Sequence, residues 1–129
     1  FGEAGFHTAF FSNQLRNHSY IDFLGEEAND ACFIREKQPS SRPDDEQLLP
    51  YVAQELDQHH RKLFIVLHMY GSHFNYRDRY SRANARFLPD EPTEAKAENR
   101  PQLLNAYDNT ILHTDRILAR LIGMLRARH

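Results

Sequence analysis

The chain is poor in the residues that would settle its class at once. Its 129 residues include one cysteine, no tryptophan and five glycines. A lone Cys32 excludes an internal disulfide and with it a disulfide-stapled scaffold. The scattered glycines form no phosphate-cradling loop, and no Ser-centred nucleophile elbow occurs. No run approaches the roughly 18 apolar residues of a membrane-spanning helix. Neither sign of charge dominates: 16 Lys+Arg stand against 18 Asp+Glu, a formal net charge of -2. That balance gives no general attraction to nucleic acid or to an anionic membrane, so no nucleic-acid partner is expected. The 40% of hydrophobic residues is enough for a packed core and argues against wholesale disorder. The length suits one domain.

What the chain does have is pattern. Residues 6–11 are aromatic-rich and apolar on both faces, which predicts a strand buried in a parallel sheet. Residues 63–67 (LFIVL) form a second, clearer strand of the same type. Within 15–32, Tyr20, Phe23 and Leu24 fall at helical spacing and suggest a short helix. Pro39 and Pro43 mark residues 37–45 as a loop, and Asp44 or Asp45 is placed to cap the next helix. Leu49, Val52, Ala53 and Leu56 make one helical stripe. Pro50 fits only near that helix's start, where backbone N–H groups have no intrahelical partner. Strand, helix, strand at this spacing predicts a βαβ unit. Residues 81–98, with Pro89 and Pro92, read as irregular. A long amphipathic helix closes the chain. Pro101 lies in its first turn, and Leu104, Tyr107, Ile111, Leu118, Leu121, Ile122 and Leu125 form the apolar face.

In an open α/β sheet, ligands bind beyond the carboxyl ends of the strands. The first strand ends at Ser12, Asn13 and Gln14, the second at His68 to His73. If the strands are parallel, both polar clusters share one edge. His68 and His73 can ligate a metal, hydrogen-bond a phosphate or move protons, and Arg77 and Arg79 can pair with phosphate oxygens. A solvated surface loop is the plain alternative. Asn13 and Gln14 can bind a polar group of a substrate or simply end a strand, and His18 is equally open. His59 and His60 read as solvated helix-end residues. Tyr107, Asp108, Asn109, His113 and Asp115 read as structural support, and Cys32 as a small buried hydrophobe. No carboxylate or cysteine completes a tetrahedral set around His68 and His73, so no complete zinc site is expected in the chain.

Three segments in order carry a family resemblance: 5–14 (GFHTAFFSNQ), 64–80 (FIVLHMYGSHFNYRDRY) and 105–115 (NAYDNTILHTD). Together they resemble the lipid A phosphoethanolamine transferases of the sulfatase and alkaline phosphatase-like superfamily. The resemblance implies a partial three-layer α/β/α fold with a parallel βαβ core. It implies a membrane-anchored enzyme at the periplasmic face of the inner membrane. Such an enzyme uses zinc and a threonine nucleophile to move phosphoethanolamine from phosphatidylethanolamine to lipid A or a core sugar. The family's nucleophile and zinc carboxylates fall outside residues 1–129. The chain is therefore expected to be a single incomplete catalytic-domain fragment, inactive alone, holding no zinc tightly and prone to self-association through uncovered apolar surface. By the same resemblance His73 matches a histidine near the transferred phosphate, His68 matches the other histidine of that loop, Gln14 and its neighbour Asn13 lie near a substrate-binding amide, and His18 stands where some members have lysine. Another superfamily activity (sulfatase or glycerol-phosphate transferase) and a non-catalytic α/β interaction module are the alternatives.

Overall fold

The computed structural model describes residues 1–16, 20–37, 42 and 44–128. Three strands form one sheet: β1 (His7–Ser12), β2 (Asp30–Phe33) and β3 (Leu63–His68), in the order β2-β1-β3. Both pairings are parallel, with Phe11 opposite Cys32 on one side and opposite Leu67 on the other. The two apolar runs thus form strands where expected, each extended by one polar residue at its carboxyl end. The expected βαβ core is present, β1 and β3 pairing directly and in parallel, and one strand is added to it. A third strand, β2, lies between them in sequence and pairs on the far side of β1. Only four residues long, it carries too little alternation to stand out from its surroundings.

Side chains alternate between faces along each strand. On one face Ala9, Phe11, Cys32 and Ile34 pack with Leu48 and Val52, and Leu121 and Met124 press against this cluster. The helices on this side are a nine-residue helix over Leu49–Asp57 and a long one over Arg100–Arg126, here α3 and α4. Pro50 lies in the first turn of α3, where its missing N–H costs no hydrogen bond. On the other face Phe10 is covered by α1 (Tyr20–Glu26), whose Gly25 sits so close that a Cβ there would meet the Phe10 ring at 2.7 Å. Val66, opposite Phe10 in the register, lies beyond this cover and is 36% exposed. The result is helices on both faces of a parallel sheet, with the face of β3 only partly covered.

Two helices form as expected but turn unexpected faces inward. In α1 the apolar Tyr20, Phe23 and Leu24 are exposed, while Asp22 and Gly25 are buried. In α4 Leu104, Tyr107, Ile111, Leu118, Ile122 and Leu125 are exposed, and Leu121 alone of the expected stripe packs on the core. The buried positions are Ala106, Asn109, Thr110, His113 and Ile117.

Residues 37–45 lie partly outside the described residues, but Asp44 does cap a 3-10 turn (Asp45–Leu48), its carboxylate accepting from Glu46 N at 3.0 Å. α2 (Ile34–Lys37) is a single turn that directly continues β2. The stretch 81–98 holds only short 3-10 turns, as its prolines require. It is nevertheless anchored. Asn109 accepts from Arg86 N and Phe87 N at 2.8 and 3.0 Å and donates to Phe87 O at 2.9 Å. Tyr80, fully buried, donates to Asp90 Oδ2 at 2.7 Å. Burial and this bond to a carboxylate push the Tyr80 phenol up to about 12.

Candidate active site at the carboxyl edge of the sheet

Because β1 and β3 run parallel and in register, Ser12 stands opposite His68. The two polar clusters therefore emerge side by side, and they are stitched together. Asn13 N donates to His68 O at 3.0 Å. Ser12 Oγ lies 3.0 Å from His68 Nδ1. Gln14 Nε2 donates to Met69 O at 3.1 Å. His68 also packs near Phe10, ring centroids 6.1 Å apart. Thus Ser12 is a direct partner of His68 and shares control of which ring nitrogen carries the proton.

The tie that holds the edge together is Asp45, which is 4% exposed. Its Oδ1 accepts from Asn13 Nδ2 at 2.8 Å and from Tyr70 N at 2.9 Å, and its Oδ2 accepts from Gly71 N at 2.8 Å. One carboxylate therefore fixes the end of β1, the entry to α3 and the loop after β3. Gly71 has φ 54, a left-handed conformation that glycine adopts without steric cost and that aims its N–H at Asp45. Asn13 is fully buried, and its Oδ1 has no hydrogen-bond partner among the described residues.

His73 lies on the turn beyond Gly71 and is exposed. Its Nδ1 is 2.6 Å from Phe74 O, so Nδ1–H donates there and Nε2 carries the lone pair of the neutral ring. Arg79, 9% exposed, fixes the backbone below it, donating to His73 O at 3.0 Å and Phe74 O at 3.2 Å and stacking over the Tyr70 ring at 4.3 Å. Arg77 is paired with Asp90 and Glu91 at 3.3 and 3.2 Å. Both arginines are thus engaged in internal structure. Ser72 Oγ lies 2.7 Å from the Thr110 hydroxyl of α4, and the supporting role expected of Asn109 and His113 is realised in their bonds to the loops. His113, buried in α4, holds Asp44 Oδ1 at 3.0 Å. Burial works to raise the Asp44 carboxyl, but the bonds from His113 and Glu46 N outweigh it and hold it below its usual range.

Of the sequence-derived candidates, the structure brings together Asn13, Gln14 and His68 and places His73 on the same connected loop. His18 lies outside the described residues. Asp45 and Ser12 were not singled out for chemistry by the sequence. The only signal for Asp45 was its place after a proline-rich loop, which suggests a helix cap and says nothing of partners 25 and 26 residues away.

A parallel α/β sheet with a histidine-bearing loop at its carboxyl edge defines a class of ligand-binding or catalytic domains. Comparison with known proteins narrows it. The chain belongs to the sulfatase family, whose model matches residues 1–129. It is 30% identical over 119 residues to the Kdo(2)-lipid A phosphoethanolamine 7''-transferase of Salmonella typhimurium, covering 91% of this chain and 20% of that protein. The lipooligosaccharide phosphoethanolamine transferase A of Neisseria meningitidis, an integral membrane protein, superposes with a TM-score of 0.83 at 25% identity, covering 98% of this chain and 24% of that one. The C-terminal periplasmic domain of EcEptC from Escherichia coli, in complex with Zn, shares the fold at a TM-score of 0.82 and 24% identity, covering 98% and 37%. The alkaline phosphatase-like fold is thereby shown. The chain spans about a fifth of the length of the curated relatives it matches. Among its described residues no helix is long and apolar enough to cross a membrane.

Proposed function

We propose that the chain is a central section of the catalytic domain of a phosphoethanolamine transferase, a single incomplete unit over 1–129. In this reading the whole enzyme acts at the periplasmic face of the inner membrane. It moves phosphoethanolamine from phosphatidylethanolamine to lipid A or a core sugar. The observation that carries the reading is the meeting of Ser12–Gln14 with His68–His73 at the carboxyl edge of a parallel sheet, in a chain whose relatives include transferases of this kind.

Within it, His73 is the group that reaches substrate. With Nδ1–H held by Phe74 O, its Nε2 can carry a proton toward a phosphoryl oxygen and stabilise charge as the group transfers. His68, bonded to Ser12, orients the base of the same loop, and Gln14 holds Met69 in place. His18 belongs to the substrate side in this proposal, while Asn13, fully buried with its amide on Asp45, anchors the edge from within. Zinc supplies a Lewis acid for such transfers. The described residues beside His68 and His73 do not fit a complete zinc centre. Three mutually close donors occur among the described residues only at His7, Glu55 and His60, at the opposite ends of the strands. The catalytic zinc of the whole enzyme would rest on residues outside 1–129.

The test is made in the full-length gene product. His73→Ala is expected to lower phosphoethanolamine transfer to lipid A, read by mass spectrometry, by roughly 100-fold or more, with zinc content unchanged. Preferential hydrolysis of sulfate esters would overturn the substrate assignment. Robust turnover by residues 1–129 alone would overturn the fragment assignment.

A further inference from the structure

At the amino-terminal edge of the sheet, away from His68 and His73, a second cluster has no part in the chemistry above. His7 opens β1, Glu55 lies in the last turns of α3, and His60 precedes β3. The sequence suggests that His60 is a solvated helix-end residue. The structure instead stacks its ring on that of His7, with centroids 3.8 Å apart and planes within 5°. Between them points Glu55, whose side chain is only 5% exposed. Its Oε2 makes no hydrogen bond among the described residues, yet lies 3.5 Å from His7 Nε2 and 3.5 Å from His60 Nε2. A buried carboxylate oxygen left in this state is costly unless something positive sits against it.

We infer that His7, Glu55 and His60 form a second metal site, one for a borderline divalent transition ion such as Zn2+, structural in role and separate from the transferase chemistry. Two imidazoles and one carboxylate are the donor set such ions prefer. Bonds of about 2.0–2.2 Å at tetrahedral angles put neighbouring donor atoms roughly 3.3–3.5 Å apart, which is the spacing from Glu55 Oε2 to each histidine. Asp30 Oδ2 is hydrogen-bonded to His7 Nε2 at 2.7 Å, so ion binding must release that bond, after which water or this half-exposed carboxylate takes the fourth position. Loading splays the stacked rings so that both Nε2 atoms converge on the ion, while Glu55 stays fixed by the helix beneath it. His60 and Glu55 also line a cavity of about 610 Å³ between α3, β3 and the end of α4, which gives the ion a way in. Occupation would tie the start of β1, the end of α3 and the entry to β3 into one unit.

The experiment uses the full 129-residue chain, stripped with chelator, and the metals alone. Isothermal titration with Zn2+ is expected to show one ion per chain. Co2+ is expected to give visible absorption of tetrahedral intensity, and Zn2+ to raise the unfolding temperature. Glu55→Gln and His60→Gln should each weaken binding by roughly 100-fold. His73→Gln, at the opposite edge, should leave affinity and spectrum unchanged. His60 is only partly buried, so its variant keeps the test decisive if Glu55→Gln fails to fold, with circular dichroism reporting the fold of each. Absence of one-to-one binding, equal affinity in the His60→Gln chain, or loss on His73→Gln would each overturn the proposal.

Discussion

Asp45→Asn isolates the residue on which the carboxyl edge depends. The native carboxylate accepts three hydrogen bonds from Asn13 Nδ2, Tyr70 N and Gly71 N. Asparagine has nearly the same shape but offers one acceptor oxygen and one NH2 group. Whichever way it turns, at least one of the three donors faces another donor. A hydrogen bond to a charged group contributes about 1.5–3 kcal/mol, and the two surviving bonds lose their charge assistance. The expected cost is therefore about 2–4 kcal/mol, out of a total stability on the order of 5–15 kcal/mol. At this chain length that corresponds to a fall of roughly 6–16 °C in Tm. Urea unfolding followed by circular dichroism measures the free energy, and hydrogen exchange at the Tyr70 and Gly71 amides locates it. A loss below about 0.5 kcal/mol, or native exchange rates at both amides, would refute the reasoning. Asp45→Ala removes the acceptor of all three donors and should cost more than Asn.

Tyr80 has its phenol raised from 10.0 to about 12 in the folded state, so its contribution is complete below the unfolded value and is lost as pH climbs through the folded one. Stability should therefore fall between pH 10 and about 12, and Tyr80→Phe should remove that part of the fall in alkaline unfolding curves. Gly25→Ala improves helix propensity by up to about 1 kcal/mol, but its Cβ would stand 2.7 Å from the buried Phe10 ring. The variant should be less stable by about 1–2 kcal/mol; a gain in Tm would show that Phe10 can move. The isolated chain, with Leu104, Ile111, Leu118, Ile122 and Leu125 exposed along one helix, should self-associate; light scattering that finds a monomer at high concentration would count against it.

The range of each interaction determines how much of this was legible beforehand. Residues 6–11 and 63–67 could be read as strands because continuous apolar runs are local, and their shared direction placed Ser12–Gln14 beside His68–His73 before any contact was known. β2 was not legible. Its Asp30 and Ala31 are exposed, so half of a four-residue strand carries no hydrophobic signal. Asp45 was legible as a cap position but not as an acceptor for Tyr70 and Gly71, because that role exists only once β3 has brought its loop alongside. His60 escaped for the same reason: its partner His7 is remote in sequence, and no helical or strand period links them.

The closing helix shows why a correct period can still name the wrong face. Periodicity reports that apolar residues share a stripe. It does not report what the folded chain places against the opposite stripe. In α4 that opposite stripe carries Asn109, Thr110 and His113, and each bonds a polar group of the loops: the amides of Arg86 and Phe87, the Ser72 hydroxyl and the Asp44 carboxylate. Burying those loop groups without partners would cost about 1–3 kcal/mol apiece, comparable to what burying a Leu or Ile side chain contributes. With several such bonds on one side, polar satisfaction within these residues decides the orientation, and the leucine and isoleucine face is left outward. The face that looks most like a core is thus the one still able to take a partner, which is why the oligomeric state of the chain tests the reading of α4 more directly than any substitution in it.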